Sequence, residues 1–287
     1  QVALDRQSRE SILTSSLKKL EEALAEYYGW ATTPASRAKL NAAMACKAGR
    51  VRIAQEDYCD IAAASQSEML ALVEEAAFGE TGFFRESDQF DLLRTLILPE
   101  IWINRPKSEA LRLWSSACST GEEAYSLGMV CDLLRSEGDA RTIEIFATDV
   151  RNGALLIASQ ARYLAQSVDA LEPAIRERYF VRSPEESESG DGRYSLVPDV
   201  RRLVSFRRVN LLEQIFWKSM AGRFDLIVCA NLLAFLHGAA VRRMVGRLAH
   251  SLREGGYLMV APTECGFVDH PKLRPTAEAP TFYSRIA

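Results

Sequence analysis

The segment Leu111 to Leu127, LRLWSSACSTGEEAYSL, constrains the fold more than any other stretch of the chain. It reads as a buried strand over Leu111 to Ala117, a tight polar turn over Cys118 to Gly121, and the first turn of a helix from Glu122. An apolar run, a turn of small residues with one glycine, and acids at a helix start make up the first unit of a parallel α/β sheet. In such sheets a ligand sits beyond the carboxyl ends of the strands, where backbone can approach it closely.

From Leu111 onward the pattern repeats. Strands are expected at Leu111 to Ala117, Ile143 to Val150, Val204 to Val209, Phe224 to Asn231, Gly256 to Pro262 and Thr281 to Ile286. Helices are expected at Glu122 to Glu137, Asn152 to Ala165 and Ala239 to Leu252. This alternation predicts a mostly parallel sheet with helices on both faces. Residues 172–208 interrupt the rhythm with a short helix (Pro173 to Tyr179), a charged tip PEESESGD over 184–191, and β-prone runs around Tyr194 and Leu203. An Asp-Gly turn between such runs predicts a small antiparallel insertion.

Residues 1–78 carry apolar positions at helical spacing and no convincing strand. Helices are expected at Ile12 to Tyr28 with Gly29 as its stop, from Thr33-Pro34 to Gly49, and over Asp57 to Phe78. The expected organisation is a helical domain of residues 1–78 and an α/β domain of residues 79–287 with the insertion at 172–208. Between them lies GETGFFRES, followed by a helix from Asp88 to Ile103 with Asp88 as its cap. Phe83 and Phe84 are expected to anchor the crossing, and Arg85, on a loop at an expected interdomain cleft, is suited to gripping a carboxylate.

Hydrophobic residues are 48% of the chain, enough for a sizeable core. A net charge of -3 does not support general nucleic-acid binding. The six cysteines include no C-x-x-C pair and the three histidines are scattered, which argues against a metal site or a disulfide framework and for thiols in a reducing cytoplasm. No apolar run is long enough to span a bilayer, and no signal-peptide pattern follows Gln1.

The chemistry is expected where four strand ends converge: at Ser119, Thr120 and Gly121, at Asp149, at Asn210 and at Asn231. Asp149 can accept hydrogen bonds from vicinal ribose hydroxyls, or cap the helix that follows, or both. Asn210 and Asn231 suit an adenine edge or an amino-acid zwitterion, with ordinary turn residues as the alternative. Glu123 can hold an ammonium or simply favour the helix dipole. The first turn is not G-x-G-x-x-G, and an acid pair stands where a pyrophosphate would lie, which disfavours NAD and FAD. A cofactor with a ribose and a cation but no phosphate fits better, and S-adenosylmethionine has that chemistry.

At these residues the sequence resembles the chemotaxis receptor methyltransferases, the CheR family of protein-glutamate O-methyltransferases. The resemblance is carried by GETGFFRE, WSSACSTGEEAYSLGM, IEIFATDV with ALLIASQARY, ERYF, YSLVPDVRRLVSFRRVNLL, FDLIVCANLL, LREGGYLMV and PTE, in the family's order. It implies a helical N-terminal domain, a Rossmann-like methyltransferase sheet and an inserted antiparallel subdomain. It further implies a cofactor site of Thr81, Arg85, Ser119, Gly121, Glu123, Asp149, Asn210, Leu211, Asn231 and Leu232, with Arg85 also orienting the acceptor. The implied activity is methyl transfer from S-adenosylmethionine to glutamates in the cytoplasmic domain of a chemoreceptor-like protein, leaving S-adenosylhomocysteine. Neither nucleic acid, metal nor membrane insertion enters this scheme. The chain departs from the family's C-R-N-x-x-x-Y-F run at Ala230 and Phe235, has Gly79 for the first-motif Asn, and carries only Lys39, Lys47 and Arg50 as bases in the run KLNAAMACKAGR, where the family usually has R-L-x-R-R-L. Two alternatives therefore stand beside the implied activity: a regulatory module that binds the cofactor or its product, and a methyltransferase for another carboxylate.

Overall fold

The structure, a computed structural model, describes residues 6–76, 81–136, 141–183 and 192–287. The chain divides into two compact units, Gln1–Gly79 with Leu232–Val241, and Glu80–Asn231 with Arg242–Ala287.

The first unit is helical: α1 (Arg6–Tyr28), α2 (Pro34–Val51), α3 (Gln55–Ala64) and α4 (Gln66–Ala76). Gly29, at φ +65°, ends α1 as expected. Thr33 and Ser36 form a reciprocal capping box at the start of α2, with Pro34 in its first turn. The expected stop at Gly49 is not used. The helix continues to Val51 and closes on Arg52, whose left-handed backbone lets its N–H reach the carbonyls of Ala48 and Gly49. The expected helix over 57–78 is two helices broken at Ser65, whose backbone is extended and whose hydroxyl accepts from Glu68 N at 3.4 Å. Leu20, Leu24, Leu40, Met44, Cys59, Met69 and Leu72 are buried in the interior of this unit. Segment 232–241 is tied into it by Ala31 N to Phe235 O and His237 N to Gly29 O, both 2.8 Å. Lys39 Nζ stands 5.6 Å from the Phe235 ring centroid.

The second unit opens with α5 (Ser87–Leu92), a π-turn over Leu93–Ile97 and α6 (Leu98–Asn104). Asp88 does not cap this run. The chain enters through Glu86 in a left-handed conformation, and Asp88 lies in the first turn. The π-turn has a local cause: Pro99 has no N–H to give to the preceding turn and its ring would strike the carbonyl four residues back, so the ladder widens and Leu98 N reaches Leu93 O.

Then follow β1 (Leu111–Ser115), α7 (Glu122–Ser136), β2 (Ile143–Asp149), α8 (Asn152–Gln160), β3 (Arg162–Leu164), α9 (Ala165–Asp169), α10 (Pro173–Tyr179), β4 (Phe180–Arg182), β5 (Arg193–Leu196), α11 (Pro198–Arg201), β6 (Val204–Arg208), α12 (Gln214–Trp217), β7 (Phe224–Cys229), α13 (Gly238–Ser251), β8 (Leu252–Val260), β9 (Leu273–Pro275) and β10 (Phe282–Arg285). The large sheet has the order β6-β2-β1-β7-β8-β10-β9. Its first five strands are parallel, while β10 and β9 are antiparallel additions. The order reverses between β1 and β7, which places the ligand crevice of such a sheet at their carboxyl ends. Every residue of β7 is buried, as a strand covered on both faces requires. Trp114 is fully buried among Phe146, Phe216, Trp217 and Phe224, and its indole N–H donates to Thr148 Oγ1 at 3.0 Å.

A second sheet, β3-β5-β4, is antiparallel. It differs at both ends from the span expected for the insertion. The helix expected to reach Ala165 stops at Gln160, because Ala161 turns left-handed and Tyr163 is drawn into a buried cluster with Phe83, Phe180 and Leu196. Val204–Arg208 pairs with β2 and belongs to the large sheet. Phe83 anchors its loop as expected, edge-on to Tyr163 at 4.8 Å and to Phe180 at 5.0 Å, and Phe84 meets Phe90 at 5.4 Å. The expected break at 78–79, the end of the first long helix of the sheet at Glu137, and the charged tip at 184–191 lie outside the described residues. Among the described residues no helix is long and apolar enough to cross a membrane.

Candidate functional site

The turn after β1 is the frame of the site. Ser116 N and Oγ both donate to Val228 O at 2.9 Å, and Cys118 N donates to Thr148 O at 2.9 Å, so the turn hangs on both neighbouring strands. Ser119 is left-handed at φ +52° and Gly121 has φ +97°. A Cβ on Gly121 would lie 2.9 Å from Ala158 Cβ and 3.1 Å from the Tyr163 hydroxyl, so only glycine fits this approach of turn to helix. Tyr163 also donates its hydroxyl proton to Thr120 O at 2.9 Å.

Asp149, 6% exposed at the end of β2, organises the adjacent edge. Its Oδ2 accepts from Ser119 N at 2.9 Å, and its Oδ1 accepts from Arg151 N at 2.9 Å and Arg151 Nε at 3.0 Å. It is not the cap of α8, whose N-cap is Arg151. Arg151 Nη2 also donates to Oδ2, at a longer 3.3 Å, so the carboxylate's roughly four acceptor positions are all engaged and this weakest bond is the one a further donor would displace.

The two acids opening α7 face different partners. Glu122 is buried and accepts from Thr120 Oγ1 at 2.6 Å and Thr81 Oγ1 at 3.3 Å, and burial pushes its carboxyl above the usual range. Glu123 is half-buried and accepts from Ser115 Oγ at 2.6 Å. Burial raises its carboxyl to about 7; the Ser115 hydroxyl opposes that rise, the negative field of Glu264 adds to it, and the positive field of Arg85 opposes it. Glu264 is fully buried in the 3-10 turn Pro262–Phe267, and its Oε2 accepts from Asn231 N at 2.8 Å. That bond holds Asn231 in the left-handed region, at φ +59°.

The structure thus brings Glu123, Arg85, Glu264 and Asn231 into one electrostatic group, and Ser119, Gly121 and Asp149 into another on the same turn. Val209 N donates to Asp149 O at 2.9 Å, so Asn210 follows directly beside that edge, with its Oδ1 accepting from Leu212 N at 2.9 Å. Leu211 is buried, and its carbonyl accepts from Trp217 Nε1 and Arg247 Nη1. Thr81 Oγ1 donates to Glu122. Leu232 falls in the first unit, where its carbonyl accepts from Phe235 N at 3.0 Å. Of the non-glycine residues described at positive φ, Phe84, Glu86, Ser119 and Asn231 all stand at or beside these positions, where backbone strain commonly gathers at functional sites.

Sequence reasoning passed over Ser115, Tyr163 and Glu264. Glu264 had a usable signal, being an acid just past the carboxyl end of an apolar strand, the same signal that marked Asp149. Among the described residues no group of three His, Cys, Asp or Glu side chains could hold a metal ion.

Residues 79–281 match the family described as CheR methyltransferase, S-adenosylmethionine-binding domain. The chain is 32% identical over 197 residues to chemotaxis protein methyltransferase 1 of Pseudomonas aeruginosa, covering 67% of this chain and 68% of that one. It is 33% identical over 201 residues to chemotaxis protein methyltransferase 2 of Vibrio cholerae, covering 70% and 67%. It is 31% identical over 209 residues to an uncharacterized 104.1 kDa protein of Rhodobacter capsulatus, covering 72% of this chain but 21% of that much longer one. The acid-lined corner and the matched span together assign this chain to the CheR methyltransferases, with S-adenosylmethionine as its cofactor.

Proposed function

We propose that this protein is a cytoplasmic protein-glutamate O-methyltransferase that modifies glutamate side chains in the cytoplasmic domain of a chemoreceptor-like protein. In this reading residues 1–78 form a separate helical domain and residues 79–287 carry the chemistry. One observation carries it: the carboxyl groups of Glu122, Glu123, Asp149 and Glu264 gather at the carboxyl edge of the parallel strands, around a turn with a single glycine. Such a rim repels a diphosphate and attracts a cation, because like charges in a protein interior interact strongly.

These residues fit S-adenosylmethionine. Bound there, it would supply an electrophilic methyl group on a positively charged sulfur. Glu123 would hold the ammonium, Asp149 would accept from the ribose hydroxyls in place of its long bond from Arg151 Nη2, and Asn210 and Asn231 would meet the adenine or the amino-acid end. Ser119 and Gly121 would present backbone, Leu211 would supply apolar surface, and Thr81 would steady Glu122. Arg85 would orient the acceptor carboxylate. A glutamate side chain with a pKa of about 4.3 is already ionised at neutral pH, so no residue need act as a base. The contribution of the chain is alignment and exclusion of water. The test is transfer of tritiated methyl to receptor cytoplasmic domains, with the label released as methanol by mild base. Failure to label any cognate receptor domain would overturn the proposal.

A second reading, a module that senses the cofactor or S-adenosylhomocysteine, draws on Ala230 and Phe235. Ala230 packs against the main core, and the Phe235 ring takes the Lys39 ammonium, so neither side chain offers a polar atom. Calorimetric binding of both nucleosides with no methyl transfer would favour it.

The raised carboxyl of Glu123 sets a pH dependence. Above about 7 it is ionised and attracts a cation; below, it must first lose its proton. Affinity for S-adenosylmethionine is therefore expected to fall by up to about tenfold per pH unit below neutrality and to level off above it. Binding near neutral pH should release a proton, read by calorimetry in buffers of different ionisation heat. Without cofactor the folded state binds the extra proton between the ordinary value of 4.5 and about 7, so Glu123 makes folding stability decline as pH rises through that window. Glu123→Gln should flatten both profiles.

A further inference from the structure

We infer that Arg247, on α13, is a positioning residue of the proposed cofactor site: its guanidinium, held against the Trp217 ring, ties the Leu211 and Leu212 carbonyls together and so fixes the turn on which Asn210 and Leu211 meet the nucleoside. The inference rests on that proposed site and deepens it. The turn follows β6 at the carboxyl edge of the sheet. Within it, Asn210 Oδ1 accepts from Leu212 N at 2.9 Å, and Glu213 N donates to Asn210 O at 3.0 Å. Val209 N ties it to the neighbouring strand by donating to Asp149 O at 2.9 Å. That bond sets residues 210 and 211 beside the acid proposed to accept from the ribose, hence on the nucleoside side of the site.

The carbonyls of Leu211 and Leu212 share one donor. Arg247 Nη1 donates to the first at 3.0 Å and to the second at 3.1 Å. Trp217 Nε1 also donates to Leu211 O, at 2.8 Å. Adjacent carbonyl oxygens that converge on one point repel each other unless a positive group lies between them, and a charged donor binds them more strongly than a neutral one. The donor is itself held. The Arg247 guanidinium carbon lies 5.5 Å from the centre of the Trp217 ring, within range of a cation–π contact. Trp217 is buried, and its ring centre stands 5.5 Å from that of Trp114 in the aromatic core. One arginine thus links the turn to the middle of the fold across 36 sequence positions. Burial, and after it the field of Arg243, lower the Arg247 pKa from its ordinary value, so the charge is kept there at a cost. A side chain present only to fill space would not need that charge.

Arg247→Gln keeps an N–H donor on a shorter arm and removes the charge, whereas Arg247→Lys keeps the charge. The native protein and both variants are titrated calorimetrically, well below their melting points, with S-adenosylhomocysteine and with methylthioadenosine, which has the same nucleoside and no amino-acid end. R247Q is expected to bind both ligands about tenfold more weakly, the scale of one lost charge-assisted hydrogen bond. R247K should recover most of that loss. A lowered melting point with native affinities would show a purely structural arginine and overturn the inference. A loss confined to S-adenosylhomocysteine would put the turn at the amino-acid end and overturn it too, as would a lysine variant no better than the glutamine one. Should R247Q fail to fold, the native protein still decides. A ligand that depends on the clamp must tighten it in return, so S-adenosylhomocysteine should slow hydrogen exchange at the Trp217 indole N–H more than at the Trp102 indole N–H. Equal slowing at the two would overturn the inference. If the native protein bound neither nucleoside, the proposed cofactor site itself would fall, a result distinct from these.

Discussion

Asp149→Ala is expected to bind S-adenosylmethionine about two orders of magnitude more weakly than the native protein, because, besides the pair with the Arg151 guanidinium, it removes the acceptor of two backbone hydrogen bonds, charge-assisted and worth about 1.5–3 kcal/mol each. Those bonds run from Ser119 N and Arg151 N, both at 2.9 Å. Ser119 is held at φ +52° only while its N–H has that acceptor, so the turn relaxes and the strand edge loses its shape. Asp149→Asn keeps one acceptor oxygen and can serve only one of the two donors, so it should fall between native and alanine. Calorimetry gives the affinities and a melting curve shows how much of the loss is folding. An alanine variant that binds within about threefold of native would refute this account of the turn.

The largest stability effect is expected at Asp225, where alanine should cost about 3–5 kcal/mol, as when one member of a buried ion pair is removed. Asp225 is 0% exposed, accepts from Arg112 N at 2.9 Å, and faces Arg105 Nε at 2.8 Å and Arg253 Nη1 at 3.6 Å. Removing it leaves a buried N–H without acceptor and two guanidinium groups without that counter-charge. Arg253 also pairs with Glu109, and both arginines keep some solvent contact, which favours the lower end of the range. Asp199 is the contrast. It also pairs with an arginine, Arg202, but both side chains are 73% exposed. Asp199→Ala should change stability by less than about 1 kcal/mol, since water competes for exposed pairs. Urea midpoints at unchanged slope would read both variants. Similar shifts for the two would show that burial is not what matters.

The parts of this fold legible in the chain were those whose cause is local. The strand–turn–helix at Leu111–Leu127 announces itself because an apolar run ends abruptly at small polar residues, and Asp149 and Asn231 stand out for the same reason at the ends of β2 and β7. What was not legible depends on distant partners. Gly49 has open space around it and nothing to stop its helix, whereas Arg52, an unremarkable surface residue, closes it. The strand at Arg162–Leu164 looks helical in isolation and becomes a strand through pairing with residues 193–195. Glu264 reaches Asn231 across 33 positions, and Thr81 reaches Glu122 across 41, separations over which no periodicity carries information.

The two outer strands of the large sheet bear on how the protein behaves in a crowded solution. A strand at the margin offers unpaired amides to any other chain, the usual beginning of runaway association. Here β6 ends in exposed Arg207 and Arg208, whose charges discourage a second sheet from docking. At the opposite margin β9 is only three residues long and ends in Pro275, which has no N–H to lend. Both borders are thus blunted by means that cost the fold little, and replacing these residues with valine would turn each into a template for fibre growth.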